Sequence, residues 1–445
     1  KSLYRNGSEL VESSPFPAMQ AGRYYASPIA DSADGMGKKI ETEDKSWHPF
    51  YNKSYIDGRL TEIVMNGAET GFAIASHHLL MAEGNRTITI EFSISGSAET
   101  LTEDFKDDVE CQITTDKGWF EAEVTGFNKE TDLPLKLTAK LSGADPAIKP
   151  YLAKTHGFTF DTNLPVILIK IKHRPERLYI YSTLAATAVQ EIRLIADVKG
   201  LRTLTVSNDF GPVDTSKPFQ PFGAQPLKGS SLIVGSGEVF QKKLESATLK
   251  AGWLEKPNPY STANPEVNID FLNSGNWVAS LIDAIGIDQA ENTEFILNNN
   301  LDKSCRDEAN LNPDEHYSTD SRFGFVRLKL SADFGQKLYQ TDLLKYLRKD
   351  PASAPNPGDP PSGPSMNSLS LDYVATQILP LNSTDAGIFE RRSAKFFHIC
   401  PFGHAEQHSL LSSSGSVPLL PQFTFEHDSI NYASEAEFYI GLTGL

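Results

Sequence analysis

Cysteine is scarce in this chain of 445 residues. Cys111, Cys305 and Cys400 are odd in number and far apart, which suits a reducing compartment and excludes a disulfide framework as the source of stability. Basic runs are missing too. Asp and Glu number 57 against 41 Lys and Arg, a formal net charge of −16, so the electrostatic footprint of a nucleic-acid binder is lacking and nucleic acid is not an expected partner. No apolar run approaches the ~20 residues that cross a bilayer, and the longest, residues 164–171, is broken by Pro165 and reads as a strand. Direct membrane insertion is therefore not expected. Tryptophan is sparse, with Trp47, Trp119, Trp253 and Trp277 scattered along the chain. The chain opens on Lys1 without an initiator Met or a signal peptide and closes within an apolar pattern at Gly444-Leu445, which reads as a piece of something longer.

What is present points to strands. A hydrophobic share of 39% with 22% charged residues is ordinary for chains that bury a core, and the length suggests about three domains. Ile88, Ile90, Phe92 and Ile94 alternate with polar neighbours, as do Leu135, Leu137, Ala139 and Leu141, and again Ile192, Leu194, Ala196 and Val198. A period of two marks half-buried strands. Further strands are expected at 120–124, 166–172, 201–206, 232–234, 326–330, 369–375 and 438–442. Helical patterning is confined to 279–285 and 336–348, where Leu338, Leu343, Leu344 and Leu347 are expected to share a face before Pro351. The expected fold is mainly β, with several β-sandwich-like modules, short accessory helices and long ordered loops.

Composition divides the chain unevenly. Residues 1–65 read as an extended N-terminal arm, 66–210 as a β-sandwich domain and 211–349 as a second, mostly-β region. The stretch 350–366, with Pro351, Pro355, Pro357, Pro360, Pro361 and Pro364, reads as an exposed, extended linker, and 367–445 as a further β module, truncated at its end. Residues 207–240 combine Pro212, Pro218, Pro221 and Pro226 with five glycines, so regular helix is disfavoured there. Phe210, Phe219, Phe222 and Phe240 are too apolar for a solvated linker, and the loop reads as a docking surface. Phe402, in the second Pro-Phe-Gly triplet, joins them as an interface candidate.

Chemistry-bearing clusters each have a plainer reading. His398, Cys400, His404 and His408 are metal-ligating types at short spacing, but they lack paired CxxC spacing, and Pro401 and Gly403 break the helix that would align two of them. No metal site is expected. His77-His78 follows an apolar run and reads as one packed and one exposed ring. Gly235-Ser236-Gly237 lacks the third Gly and the Lys-Ser/Thr of a phosphate loop and reads as a hairpin or bulge. The acidic runs near Asp31 and at 104–108 lack a Ca²⁺-loop register, and Asn85-Arg86-Thr87 and Asn382-Ser383-Thr384 read as surface sequences rather than glycosylated sites. The sequence provides no catalytic set and no cofactor motif, so the chain does not read as an enzyme.

Several segments together resemble a known family. They are Gly71-Phe72-Ala73-Ile74-Ala75-Ser76, Glu83-Gly84-Asn85-Arg86-Thr87-Ile88, the SNDFG, SKPFQPFG and GSSLIVGSGEVF pieces of 207–240, Gly324-Phe325-Val326-Arg327-Leu328, Asp333-Phe334-Gly335 and Leu369-Ser370-Leu371-Asp372-Tyr373. In this order, from about residue 48 to the closing Tyr439-Ile440-Gly441-Leu442, they resemble the large baseplate wedge protein of extracellular contractile injection systems, which are phage-tail-like particles. Family members are markedly longer than this chain. The resemblance implies a structural protein in multiple copies per particle, whose partners are other baseplate wedge subunits, the hub or spike, sheath proteins and tail-fibre proteins. It also implies assembly in the bacterial cytoplasm and a mature particle that is extracellular or envelope-associated. A carbohydrate-binding or adhesin β-sandwich module is the alternative, and it would need a Tyr/Trp platform.

Overall fold

The computed structural model describes residues 70–421 except 96–103, 130–132, 158–159, 173–178, 261–264, 280–284, 287–291, 298–320, 401–402 and 413–414, together with the backbone of short strands within 3–10 and 53–62. In the N-terminal stretch β1 (Leu3–Arg5) pairs with β2 (Ser8–Leu10), and β3 (Lys53–Ile56) with β4 (Arg59–Glu62). The strands that follow are β5 (Gly71–Ser76), β6 (Asn85–Ser95), β7 (Val109–Thr115), β8 (Gly118–Lys129), β9 (Leu135–Leu141), β10 (Val166–Ile171) and β11 (Ala188–Leu201). Next come β12 (Thr205–Asn208), β13 (Gly211–Pro212), β14 (Ser231–Gly235), β15 (Leu244–Glu255), β16 (Glu266–Asn273), β17 (Asn276–Ala279), β18 (Ile285–Gly286) and β19 (Asn292–Ile296). β20 (Phe325–Leu330), β21 (Ser365–Pro380), β22 (Ala394–Cys400) and β23 (Gly403–Glu406) complete the order. The fold is mainly β, with short helices as accessories.

Twelve strands join in the order β19-β15-β21-β11-β6-β9-β8-β7-β10-β5-β22-β23. The long strand β8 is the corner. Its first half pairs with β7, Cys111 opposite Ala122, and its second half pairs with β9 across a register shift between Val124 and Gly126. A strand shared in this way lets one sheet fold over on itself, and bulges are the usual means of turning such a corner. Phe72 of β5 meets Phe92 of β6 edge to face at 5.4 Å, although three strands and both halves of β8 separate them in the ladder. The alternation seen in β9, with Leu135, Leu137, Ala139 and Leu141 all inward, drives this closure because a one-sided apolar face must be covered. A smaller sheet, β13-β12-β14-β20-β16-β17 with β18 beside β16, buries Leu232, Val234, Ile269, Phe271, Val326 and Leu328 in the same continuous core.

The compositional domains do not correspond to the sheets. β15, from the region 211–349, and β21, from the supposed C-terminal module, lie side by side in the large sheet, and β21 fills the gap between β15 and β11. The boundary at 210 cuts a hairpin, since Asn208 of β12 pairs with Gly211 of β13 and β12 belongs to the smaller sheet. The Pro-rich stretch 350–366 is likewise not a tether between separate units. Asn258 and Ser362 exchange backbone hydrogen bonds of 3.0 and 3.1 Å, Phe219 and Met366 exchange bonds of 2.9 and 2.8 Å, and the stretch runs directly into β21. Proline removes donors but leaves carbonyls and the intervening amides to pair, and residues 350–363 stay exposed or half-buried at the surface. The expected strand 201–206 is divided, with β11 ending at Leu201 and β12 beginning at Thr205. The strand expected at 438–442 lies outside the described residues, as does most of the helix expected at 279–285, whose first residue closes β17 and whose last opens β18.

Candidate functional site

The Pro/Gly/Phe loop separates into covered and uncovered rings. Phe222 and Phe240 are buried, at 2% and 0% exposure, in the main core, Phe219 is half-buried against that core, and Phe210 is 78% exposed. Phe222 and Phe240 are therefore not surface anchors. Turn residues brought them inside by letting the loop fold back over the sheet. Phe402 lies outside the described residues. Phe210 stands on a fixed base. Its N–H donates to Asn208 Oδ1 at 2.9 Å, the neighbouring Asp209 carboxylate accepts from Ser231 N–H at 3.0 Å and its hydroxyl at 2.6 Å, and the ring lies over Gly223. Gly223 has φ of +80°, a turn that favours glycine, and a Cβ there would lie 2.2 Å from the Phe210 ring, which is exposed and free to move aside. Phe222→Ala is expected to destabilise the fold by ~3–5 kcal/mol through loss of a buried ring and the cavity left behind. Urea unfolding of the isolated protein measures it, and a midpoint equal to that of the wild type would return Phe222 to the surface.

Just after β14 the chain enters a buried polar network. Ser236 Oγ accepts from Val239 N–H at 3.3 Å and caps the single helical turn Gly237–Phe240, so the Gly-Ser-Gly segment is a strand-to-helix turn and not a hairpin or bulge. That turn places Glu238 four residues before Lys242. Lys242 Nζ, fully enclosed, donates to Leu80 O and to the Tyr373 hydroxyl, each at 2.6 Å. Tyr373 in turn donates to Glu238 Oε1 at 2.6 Å, and the other Glu238 oxygen accepts from Ala82 N–H at 2.7 Å. Burial lowers the Lys242 ammonium to about 8 against the pull of Glu238, and raises the Tyr373 phenol well above its usual value, with the Glu238 charge adding to burial. The network joins the smaller sheet to β21 and to the turn after β5.

His77 and His78 are both buried beside it, contrary to the expectation of one exposed ring. Burial lowers His77 to about 4 and His78 well below the imidazole range, and the Lys242 charge adds to both shifts. His78 Nε2 accepts from Lys243 N–H at 3.1 Å, which fixes the neutral ring with its proton on Nδ1. Ser76 Oγ donates to Gln377 Oε1, and Gln377 Nε2 donates to Ser393 Oγ at 2.7 Å.

The His-rich segment spends its nitrogens on the fold. His398 Nε2 donates to Pro418 O at 2.8 Å and His408 Nε2 to Pro380 O at 3.1 Å, while His408 Nδ1 accepts from Leu410 N–H. His404 stacks on Phe160 at 4.6 Å. Burial lowers His398 to about 4 despite its carbonyl partner. Among the described residues no three His, Cys, Asp or Glu side chains gather closely enough to hold a metal ion. Cys111 is buried and its thiol is pushed far up by burial and by Glu121 and Glu110, so it is not a nucleophile at neutral pH.

The described tryptophans are also engaged. Trp253 is buried with its N–H on Thr293 Oγ1 at 2.8 Å, Trp119 donates to His156 O at 2.7 Å, and Arg327 stacks over Trp277 at 4.5 Å. A depression of about 320 Å³ on the large sheet is lined by Lys250, Gly252, Asn292, Glu294, Ser368 and Ser370, where Lys250 bridges Glu294 and Asp372 at 3.4 and 2.9 Å. It has no aromatic wall. Among the described residues no helix is long and apolar enough to cross a membrane. Neither a protein-family model nor a curated protein matches the chain.

Proposed function

We propose that this chain is a structural component of the baseplate wedge of a contractile, phage-tail-like injection machine, linking hub, sheath and fibre attachment. The supporting observation is where the family-like segments fall in the fold. Glu83-Gly84-Asn85-Arg86 is a rivet: Glu83 Oε1 accepts from Arg202 N–H at 2.5 Å, Asn85 Oδ1 from Gly143 N–H at 3.1 Å, and the Arg86 guanidinium is buried among four carbonyls. Asp333-Phe334-Gly335 buries its ring while Asp333 Oδ1 accepts from Gly335 N–H at 2.9 Å. Leu369–Tyr373 lies within β21 and supplies both Asp372, which accepts from Gly200 N–H at 2.7 Å, and Tyr373 of the sealed network. These three segments that resemble the family are each tied into the frame by buried groups or hydrogen bonds. Rigidity is what a repeated scaffold subunit needs, because a preorganised surface loses little freedom on docking.

The titratable network suits this role better than catalysis, since Lys242 and Tyr373 are closed off from any substrate. The carbohydrate-binding alternative gains nothing from the described tryptophans, which pack or hydrogen-bond within the chain. Phe210 is the ring the loop offers to a neighbour. Electron microscopy of particles from cells lacking the gene tests the reading, with no complete sheathed particles expected; normal contractile particles would refute it. For Phe210→Ala the melting temperature should stay within about a degree or two of the wild type, as for surface substitutions. Incorporation into particles should fall, and unchanged yield in purified particles would remove Phe210 from any important contact.

A further inference from the structure

Two segments far apart in sequence are clasped around a group of basic side chains. The turn 77–82, between β5 and β6, meets the crossover 236–243, which carries the chain from β14 of the smaller sheet to β15 of the large one. Neither segment belongs to a strand. Three hydrogen bonds join them: Lys242 Nζ donates to Leu80 O at 2.6 Å, Ala82 N–H to Glu238 at 2.7 Å and Lys243 N–H to His78 Nε2 at 3.1 Å. His77 and His78 lie inside the clasp, at 1% and 0% exposure, with the Gln241 side chain facing His77. An imidazolium donates from both nitrogens and accepts at neither, so a doubly protonated His78 cannot receive Lys243 N–H.

A proton on either ring meets positive charge from several sides. The crossover contributes Lys242, Lys243 and one carboxylate, Glu238, which already accepts from the Tyr373 hydroxyl and Ala82 N–H and lies 3.9 Å from the Lys242 ammonium. Lys243 is near Glu245, which Arg193 holds at 2.7 Å. Arg86 on β6 is close enough to interact with Glu238 and adds a further cation. From β21 come the uncharged Tyr373 and Gln377, while Asp372 bonds Lys250 at 2.9 Å and Gly200 N–H at 2.7 Å. On β11 the buried positions are Ile192, Leu194, Ala196 and Val198, and the charged Glu191, Arg193, Asp197 and Lys199 alternate to the other face. Among the described residues no ion pair or hydrogen bond joins His77 or His78 to a carboxylate. We propose that the clasp between 77–82 and 236–243 is an acid-released latch, in which a proton on His77 or His78 parts the two segments locally, ahead of unfolding of the sheets. Burial and the Lys242 charge hold both rings below the ordinary imidazole value, so the parted segments take up protons that the closed ones refuse. The latch does not depend on the baseplate reading.

Hydrogen exchange of the full chain tests this, read by mass spectrometry on peptides covering 77–82 and 236–243 and corrected for the intrinsic rate at each pH. With His77 at 6.5 when parted and about 4 when closed, opening should rise about tenfold between about pH 7.5 and about pH 5.5, and on the order of a hundredfold with an equal share from His78. At the lower pH both peptides should exchange faster than β9, and should do so at urea concentrations too low to speed exchange in β9, which marks a local opening. Protection in the two peptides that is the same at both pH values would overturn the latch. So would exchange that matches β9 in rate and in urea response, since the segments would then part only on global unfolding. In the double variant His77→Gln, His78→Gln the glutamine oxygen at position 78 can still accept from Lys243 N–H, and the pH effect should shrink below about twofold. A pH effect as large as in the wild type would remove both rings from the latch. If the double variant does not fold, His77→Gln alone decides, with the pH effect expected to be about tenfold smaller than in the wild type. None of these outcomes bears on whether deletion of the gene abolishes particles.

Discussion

Acidification from about pH 7 to about pH 4 is expected to remove roughly 5–6 kcal/mol of folding stability through two histidines alone, His77 and His398. Each has an ordinary pKa of 6.5 and is lowered by burial to about 4 in the folded protein. The unfolded chain therefore binds protons at a higher pH than the folded one. Stability from these rings is fully present above 6.5 and is lost as the pH falls toward 4, at about 1.4 kcal/mol per unit for each ring. His78 adds to the loss in the same direction, because burial and the Lys242 charge hold its ring neutral, and that neutral ring accepts from Lys243 N–H. Lys242 works in a different window: its folded value of about 8 lies below the ordinary 10.5, so the cost of enclosing its charge is relieved only as the pH rises through 8. Urea unfolding measured at several pH values between about 4 and about 10.5 separates the two, the histidine loss falling below about 6.5 and the Lys242 gain above about 8. A stability curve that is flat between about pH 7 and about pH 5 would mean that the imidazoles are hydrated in the folded state. A single variant assigns the effect: with His398→Gln the loss should shrink by up to half.

Arg86→Ala is expected to cost ~3–5 kcal/mol, among the largest effects of any single substitution in this chain. The guanidinium is completely buried on β6, yet its near partners are carbonyls: Gly84 O at 3.2 Å, Pro146 O at 2.7 Å, and Ser142 O and Asp145 O at 2.9 and 2.8 Å. Removing it takes the guanidinium donors from the carbonyls of Gly84, Asp145 and Pro146 and frees the 142–146 loop, while Ser142 O keeps the Asp145 N–H at 3.2 Å; each acceptor left unsatisfied and buried costs about 1–3 kcal/mol before relaxation. Water entering the space recovers part of that loss, which keeps the total below the simple sum. Arg86→Lys should recover little, since one ammonium cannot reach four carbonyls spread around a planar fork. Arg193 is the control. It bonds Glu91 and Glu245 at 3.3 and 2.7 Å on the outer face of the sheet, half in water, and Arg193→Ala should cost less than about 1 kcal/mol. Equal unfolding midpoints for the Arg86 and Arg193 variants would refute the carbonyl cage as a rivet.

The alternations at 88–94, 135–141 and 192–198 determined three inward strand faces, because a side-chain period of two leaves a strand no other way to bury its apolar residues. The end of the helix 336–348 was also written locally, in Pro351, while the shared leucine face expected there did not form, since Leu338 and Leu347 lie half a turn apart. The role of Arg86 was hidden, since a sequence places an arginine on a strand without saying that a loop some sixty residues away turns its carbonyls toward it. Partner strands were hidden for the same reason: β21 lies between β15 and β11 only because the chain returns across long separations, and strand order is set by which exposed edges and faces remain to be covered. Phe222 and Phe210 show the limit most plainly. Both sit in the same Pro/Gly-rich stretch and look alike in sequence, but turns at Gly211 and Gly223, both at positive φ, send one ring into the core and leave the other in solvent. Sequence determined that the loop had aromatic rings to place; the direction in which each ring points is a property of the closed sheet, since only packing distinguishes an inner from an outer face.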